Sequence, residues 1–225
     1  MSYIDCDYLL TTGFGNTCPP VGQGYEVEGL IINYDDVDWA QSYMLDREDG
    51  TPNTIEAIVL KTGKKAVAVT QKVNQPFSGS TSEMNAGTLR NTFNHNVHML
   101  HLEDTPHAAA IVDALSGGKF IVVLKNAQKP HSQFSGTITT HSNKYPVFGF
   151  INGLRASAVT RDPYGEDNGG WDITLTESGS PFSGLFLWPE AGTDAAADAA
   201  YESLKTAATT KPFSGSTSET NAGTT

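Results

Sequence analysis

Apolar and polar positions along the chain follow two rhythms, and the stretch from Leu89 to Asn126 shows both. From Leu89 the odd positions run Leu89, Asn91, Phe93, His95, Val97, Met99 and His101, mostly apolar, while the even positions through Asn96 are polar. That two-residue period predicts a half-buried strand. Thr105 suits a helix N-cap, and Pro106 suits the first helical position, where a missing N–H costs nothing. Ala108, Ile111, Val112 and Leu115 then recur at the spacing of one helix face, and Gly117-Gly118 supplies a left-handed stop. Phe120 to Leu124 is apolar without interruption, which predicts a strand covered on both faces.

The same reading extends along the chain. Residues 1–24 are rich in Gly and Pro and read as loop after a short strand over Tyr3 to Leu10. Val27 to Ile32 predicts a strand. Ile55 to Leu60 and Lys65 to Gln71 predict a hairpin around Lys61-Thr62-Gly63-Lys64. Val73 to Thr88 shows neither period and reads as a long loop or arm, and Gln128 to Ser142 is a polar connection. Tyr145 to Ile151 and Leu154 to Thr160 flank Asn152-Gly153, the strongest hairpin signal in the sequence. Trp171 to Glu177 alternates as a strand, Leu185 to Trp188 is a short apolar one, and Ala197, Tyr201, Leu204 and Ala208 fit one helix face.

These elements predict an α+β fold: a mainly antiparallel β-sandwich or barrel-like core with extended loops and arms. A central helix over about 106–116 and a C-terminal helix over about 194–208 flank it. The expected division is an N-terminal arm over 1–24 and a β-rich core over 25–190 that carries the loop 73–88. A helix over 191–209 and a tail over 210–225 complete it.

One pattern is neither strand nor helix. Pro76 to Thr88, PFSGSTSEMNAGT, recurs as Pro212 to Thr224, PFSGSTSETNAGT, with the single difference Met84 against Thr220. Pro-Phe-Ser-Gly appears again at Pro181 to Gly184, and more loosely at Gln133 to Gly136. The copies are too few and too far apart for a solenoid. They read as extended arms, each offering an aromatic anchor (Phe77, Phe213) and open backbone groups for strand addition to a neighbouring subunit. The interface expected from this reading comprises Pro76, Phe77, Met84, Leu89, Arg90, Pro212 and Phe213.

Composition narrows the function. Charged residues are only 17% of 225, with Gly, Ser and Thr plentiful, a balance that suits strands and loops. The net charge of −11 argues against nucleic-acid binders and anionic membrane surfaces, both of which draw on Lys and Arg. DNA could pass such a surface without adhering. The N-terminus, MSYIDCDYLL, lacks the basic segment and apolar run of a signal peptide, so cytoplasmic synthesis is expected. Cys6 and Cys18, the only cysteines, read as packed thiols rather than a disulfide in a reducing compartment.

Candidate chemistry is sparse. His95, His98 and His101 form a cluster in sequence, with His107, His131 and His141 elsewhere. On a strand His95 and His101 share a face about 20 Å apart, while His98 points the other way, so one metal cannot reach all three. Gly22-x-Gly24 fails the dinucleotide fingerprint at its third glycine. Asp46 to Gly50 with Glu56 approaches a calcium loop, but Arg47 and Glu48 disturb the register and it reads as a solvated turn. Asp162, Glu166 and Asp167 crowd one Gly/Pro-rich loop. The expectation is no enzyme, no cofactor and no metal, with a metal-dependent hydrolase using these acids or histidines as the competing class.

From PFSGSTSEMNAGTLRNT, through the strand into a Pro-started helix and GGKFIVVL, the chain resembles small virion structural proteins of Bacteroidetes-infecting, crAss-like phages. YPVFGFINGLRAS, Gly169-Gly170-Trp171 and Ser183-Gly184-Leu185-Phe186 carry the same resemblance, which covers roughly residues 25–190. It implies a tail-ring or tail-tube-like protein: a closed oligomeric ring of identical copies around a DNA channel, assembled in the host cytoplasm and resident in the virion. Neighbouring tail or portal proteins would be its partners, DNA only passing cargo, and no membrane is involved. A head decoration or fibre-base protein is the alternative within the same class.

Overall fold

The computed structural model describes residues 24–44, 53–71, 73–88, 90–127, 144–162, 170–189 and 192–208. The chain runs β1 (Glu28–Asn33), a short 3-10 helix (Tyr34–Asp36), β2 (Tyr43–Met44), β3 (Thr54–Ala57), β4 (Val67–Thr70), β5 (Thr81–Asn85) and β6 (Thr92–His101). It continues through α1 (Pro106–Gly117), β7 (Phe120–Val123), β8 (Pro146–Phe148), β9 (Arg155–Asp162), β10 (Gly170–Ser180), β11 (Leu185–Leu187) and α2 (Asp194–Leu204). Seven strands form one sheet in the order β2-β3-β11-β8-β7-β1-β4, and four form a second, β5-β6-β10-β9. The fold is α+β, a sandwich-like β core flanked by helices.

Three layers follow from which side of each strand is apolar. The face of the large sheet carrying Ile31, Phe120, Val122 and Leu124 packs with Val97, Met99, Ile173 and Leu175 of the small sheet. The opposite face, carrying Leu30, Ile32, Ile121 and Val123, packs with Ala197, Tyr201 and Leu204 of α2. β7 lies inside the large sheet with both faces covered, which is why its run is continuously apolar. β6 is covered on one face, so His95, Val97 and Met99 are buried while the residues between them are half-exposed.

Both helices start as their sequences predict. Ala108 N–H donates to Thr105 Oγ1 at 3.2 Å, and Ala196 N–H donates to Thr193 Oγ1 at 3.1 Å. The stop of α1 differs from expectation. Gly118 is extended (φ −92°, ψ 178°) rather than left-handed. A Cβ there would lie 2.0 Å from Cζ of Phe120, so the glycine makes room for a ring instead of turning the chain. α2 ends at Leu204, short of the predicted 208, with Lys205 as its cap.

Two predicted hairpins are not hairpins. β3 pairs with β2 and β11, while β4 pairs with β1. The turn between them exists, with Lys64 N–H on Lys61 O at 2.9 Å and Gly63 at φ +77°. The end of α2 and the residues after it occupy its backbone: Ala66 N–H bonds Leu204 O, Gly63 N–H bonds Ala208 O and Ala208 N–H bonds Lys64 O. The two arms therefore leave toward different edges. The Asn152-Gly153 turn likewise joins β8, which pairs with β7 and β11, to β9, which pairs with β10. It carries the chain from one sheet to the other, since β8 is apolar at every position and β9 largely exposed.

A polar cluster fixes α2. The Asp198 carboxylate accepts from Lys144 Nζ at 2.5 Å and from Tyr145 Oη at 2.7 Å, and the Tyr145 ring stacks on Tyr201 at 4.5 Å. Burial alone would raise the Asp198 carboxyl, but the hydrogen bonds from Lys144 and Tyr145 outweigh it and hold it below the usual range. A depressed folded pKa gives stability that is full above the unfolded value of about 4 and is lost as pH falls through the folded one. Asp198→Asn is therefore expected to melt earlier at neutral pH and to show a shallower loss below about pH 4 than the parent chain. Thermal melts from about pH 3 to about pH 7 check this. Parallel profiles for the two proteins would show that Asp198 contributes nothing to acid sensitivity.

The strand over Tyr3 to Leu10, the cysteines Cys6 and Cys18, the acidic turn Asp46 to Gly50 and the connection 128–142 lie outside the described residues.

Candidate functional site

The segment 73–88 is not the structureless loop its polarity suggests. After a turn over residues 75–79 it forms β5, one of the two edge strands of the small sheet. β5 pairs antiparallel with β6, from Thr81 opposite Asn96 to Asn85 opposite Thr92. All five of its residues are exposed. A strand held by its backbone ladder at a sheet edge needs no apolar face, so it leaves no alternation in the sequence.

What holds the segment is Phe77. It is 1% exposed, among the largest fully buried side chains of the described residues. Phe77 therefore plugs its own chain's core and is not the exposed anchor for a neighbour that the arm reading assigns to it. The slot exists because β1 carries Gly29, where a Cβ would lie 3.0 Å from the Phe77 ring and 2.7 Å from Leu124. The Tyr25 ring meets Phe77 edge to face at 6.5 Å. Phe77 N–H donates to the buried Gln71 Oε1 at 3.0 Å. The residue adopts φ +55°, a left-handed conformation that a side chain rarely takes, so packing over-determines the backbone here.

The histidines of β6 clasp the rest of the segment. His95 is buried; its Nε2 donates to Phe182 O at 2.9 Å, and in that tautomer Nδ1 accepts from the Ser82 hydroxyl at 2.8 Å. The Pro181 to Gly184 stretch, through Phe182, and the longer repeat, through Ser82, thus converge on one imidazole. On the opposite face His98 Nδ1 lies 2.5 Å from Ser78 O, and its Nε2 lies 2.7 Å from Asp172 Oδ1. His98 N–H donates to Ser80 Oγ at 3.1 Å. Gly79, at φ +93°, brings the backbone against the His98 ring, where a Cβ would sit 3.4 Å away. Asn96 Nδ2 donates to Thr81 Oγ1 at 3.2 Å. These contacts position a strand; Ser82 and His95 do set a hydroxyl beside an imidazole, but His95 Nε2 is committed to the Phe182 main-chain carbonyl rather than to a carboxylate.

Of the other expected interface residues, Pro76 is half-buried in the turn, and Met84 and Arg90 are exposed. Leu89, Pro212 and Phe213 lie outside the described residues. The structure brings together Pro76, Phe77 and Met84 on one segment and adds Gly29, Gln71, Tyr25, Asp172 and Phe182, which sequence reasoning missed. Gly29, a lone glycine inside a strand pattern, carried a signal for close approach; a polar Gln71 carried none. His95 and His101 share a face and His98 takes the other, as the alternation predicts. His107 is exposed on α1, and Asp162 is exposed at the end of β9. His131, His141, Glu166 and Asp167 lie outside the described residues, among which no three His, Cys, Asp or Glu side chains gather as a metal would require.

A cavity of about 450 Å³ opens where α1 approaches the two sheets, lined by Ile31, Val69, Met99, Leu115, Phe120 and Ile173. Its wall is mostly apolar, with Asn33, Thr70 and His101 as its polar members, and carries no cluster of titratable groups. No helix among the described residues is long and apolar enough to cross a membrane. In comparisons with known proteins the chain matches no family model, no curated protein and no solved structure.

Proposed function

We propose that the chain is a structural subunit of a phage virion, a tail-ring or tail-tube protein that closes with copies of itself into a ring around a DNA channel. Neighbouring tail or portal proteins are its other partners in this reading. The observation that carries it is β5: one of two near-identical segments lies as an exposed edge strand on a rigid two-sheet core. Open edges recruit strands, and a strand-presenting segment in duplicate is a device for joining copies. The net charge of −11 supports DNA as passing cargo rather than ligand. The reading calls for no cofactor and no catalytic residue.

Mass photometry and negative-stain microscopy of the purified protein test it. Closed rings of uniform size are expected, alone or with virion partners. A protein that stays monomeric at high concentration even beside those partners would overturn it, and ordered but unclosed arrays would favour a head decoration or fibre-base role. Deleting residues 211–225 is expected to leave the melting temperature unchanged and to weaken ring formation. Equal assembly by the truncated chain would remove the tail from the mechanism.

A further inference from the structure

We propose that the seat filled by residues 76–85 on β6 and β1 is a docking site for residues 212–221 of a second copy of this chain. This deepens the assembly reading above but rests only on its self-association, not on the virion.

The contacts of the internal segment define what the seat recognises. It takes a phenylalanine over Gly29, a glycine against the His98 ring, and hydroxyls at the positions that meet His98 N–H, Asn96 and His95. The C-terminal copy supplies the same groups in the same order: Phe213, Gly215, Ser216, Thr217 and Ser218. The single difference falls at Met84, whose side chain is 57% exposed, so Thr220 alters no contact that holds the strand. The recognition code thus lies in the longer repeat, not in Pro-Phe-Ser-Gly alone. At Pro181 to Gly184 the same four residues turn between β10 and β11, Phe182 packs only partly buried against the other core cluster, and φ there is not left-handed.

Each chain therefore has one seat and two segments that fit it. In a lone chain the internal segment wins, because residues 86–91 tether it beside β6 at high effective concentration. Among crowded copies a neighbour's tail competes on nearly even terms, since exchanging one segment for the other conserves its contacts. β5 is the element that can yield, being an edge strand exposed along its length. Seat and tail are different patches, so each exchange is a head-to-tail contact that forms a ring when the rotation closes.

The test uses a fluorescent peptide of residues 211–225 titrated against the full chain by anisotropy. Phe77→Ala, which empties the slot, is expected to bind the peptide at least about tenfold tighter than the parent chain. Phe213→Ala and Gly215→Val peptides are expected to bind at least about tenfold more weakly than the parent peptide. Equal binding of the Phe213→Ala peptide, or no gain on Phe77→Ala, overturns the proposal. Should Phe77→Ala fail to fold, Phe213→Ala in the full chain leaves the described core untouched. It is expected to lower self-association by at least about tenfold in sedimentation velocity, and unchanged association overturns the proposal. A photo-crosslinker at position 213, in tagged chains mixed with untagged ones, is expected to join different molecules at the slot beside Gly29 of β1 and Tyr25. Crosslinks confined to the same chain would mean that the tail serves its own seat, and they also overturn it. Rings without peptide binding would leave the virion reading standing and remove the seat; peptide binding without rings would do the reverse.

Discussion

Phe77→Ala is expected to destabilise the folded chain by about 3–5 kcal/mol, the range for emptying a buried aromatic position. The ring is 1% exposed, fills the space left by Gly29 and meets Tyr25 edge to face, so little around it can collapse into the hole. The backbone supplies a sharper test. Alanine normally stabilises a folded chain relative to glycine, but at φ +55° glycine relieves a strain that alanine keeps. Phe77→Gly is therefore expected to be no less stable than Phe77→Ala, and more stable by up to about 1 kcal/mol. Urea unfolding of the two variants reads the order directly. An alanine variant more stable than the glycine one would show that the turn is not left-handed at this residue. Loss of Phe77 should also release β5, so amide exchange at Thr81 to Asn85 is expected to quicken before the sandwich itself opens.

The second large effect is expected at Glu177. It is 1% exposed on the inner face of β10, and its carboxylate accepts from Asn152 N–H at 2.7 Å and from Gly149 N–H at 3.0 Å. Those two amides belong to the turn that carries the chain from β8 in one sheet to β9 in the other. Asn152 also donates its side-chain amide to Ser178 O at 3.0 Å. Glu177→Ala leaves two turn N–H groups without their acceptor and is expected to cost about 2–4 kcal/mol. Glu177→Gln keeps one carbonyl oxygen and is expected to cost about half as much. Equilibrium denaturation measures both, and a loss below about 1 kcal/mol for Glu177→Ala would mean that water replaces the carboxylate at the turn. Where the variant does fold, exchange is expected to rise first at Gly149 and Asn152, since these are the amides left open.

These two residues mark where sequence reading stops. Glu177 stands in an alternating strand at an inward position, which normally argues against a charged residue, and nothing local names its partners 25 and 28 residues away. Phe77 lies in a polar stretch that reads as an arm. A lone aromatic there is as consistent with a neighbour's pocket as with its own core, and the choice depends on Gly29 across the fold. The thirteen-residue repeat was fully legible, and so were the opposed faces of the β6 histidines. Their shared use, clasping the repeat onto the sheet, was not, because hydrogen bonds between separate strands leave no period.

The sequence by itself determined the elements whose signals are local. The alternation of β6, the continuous apolar run of β7, the Thr105-capped start of α1 and the buried face of α2 all follow from side-chain period and cap chemistry within a few residues. Only the tertiary structure decided which strands pair. Asn152-Gly153 makes a turn, but the turn joins two sheets because β8 buries every residue and β9 does not. Lys61 to Lys64 makes a turn, but the end of α2 and the residues after it take its backbone groups and send its arms to different edges. Segment 76–88 becomes an edge strand because one phenylalanine finds a slot opened by a glycine on another strand. Turn chemistry acts over four residues, whereas pairing is chosen by how apolar area and backbone groups are satisfied across the whole core.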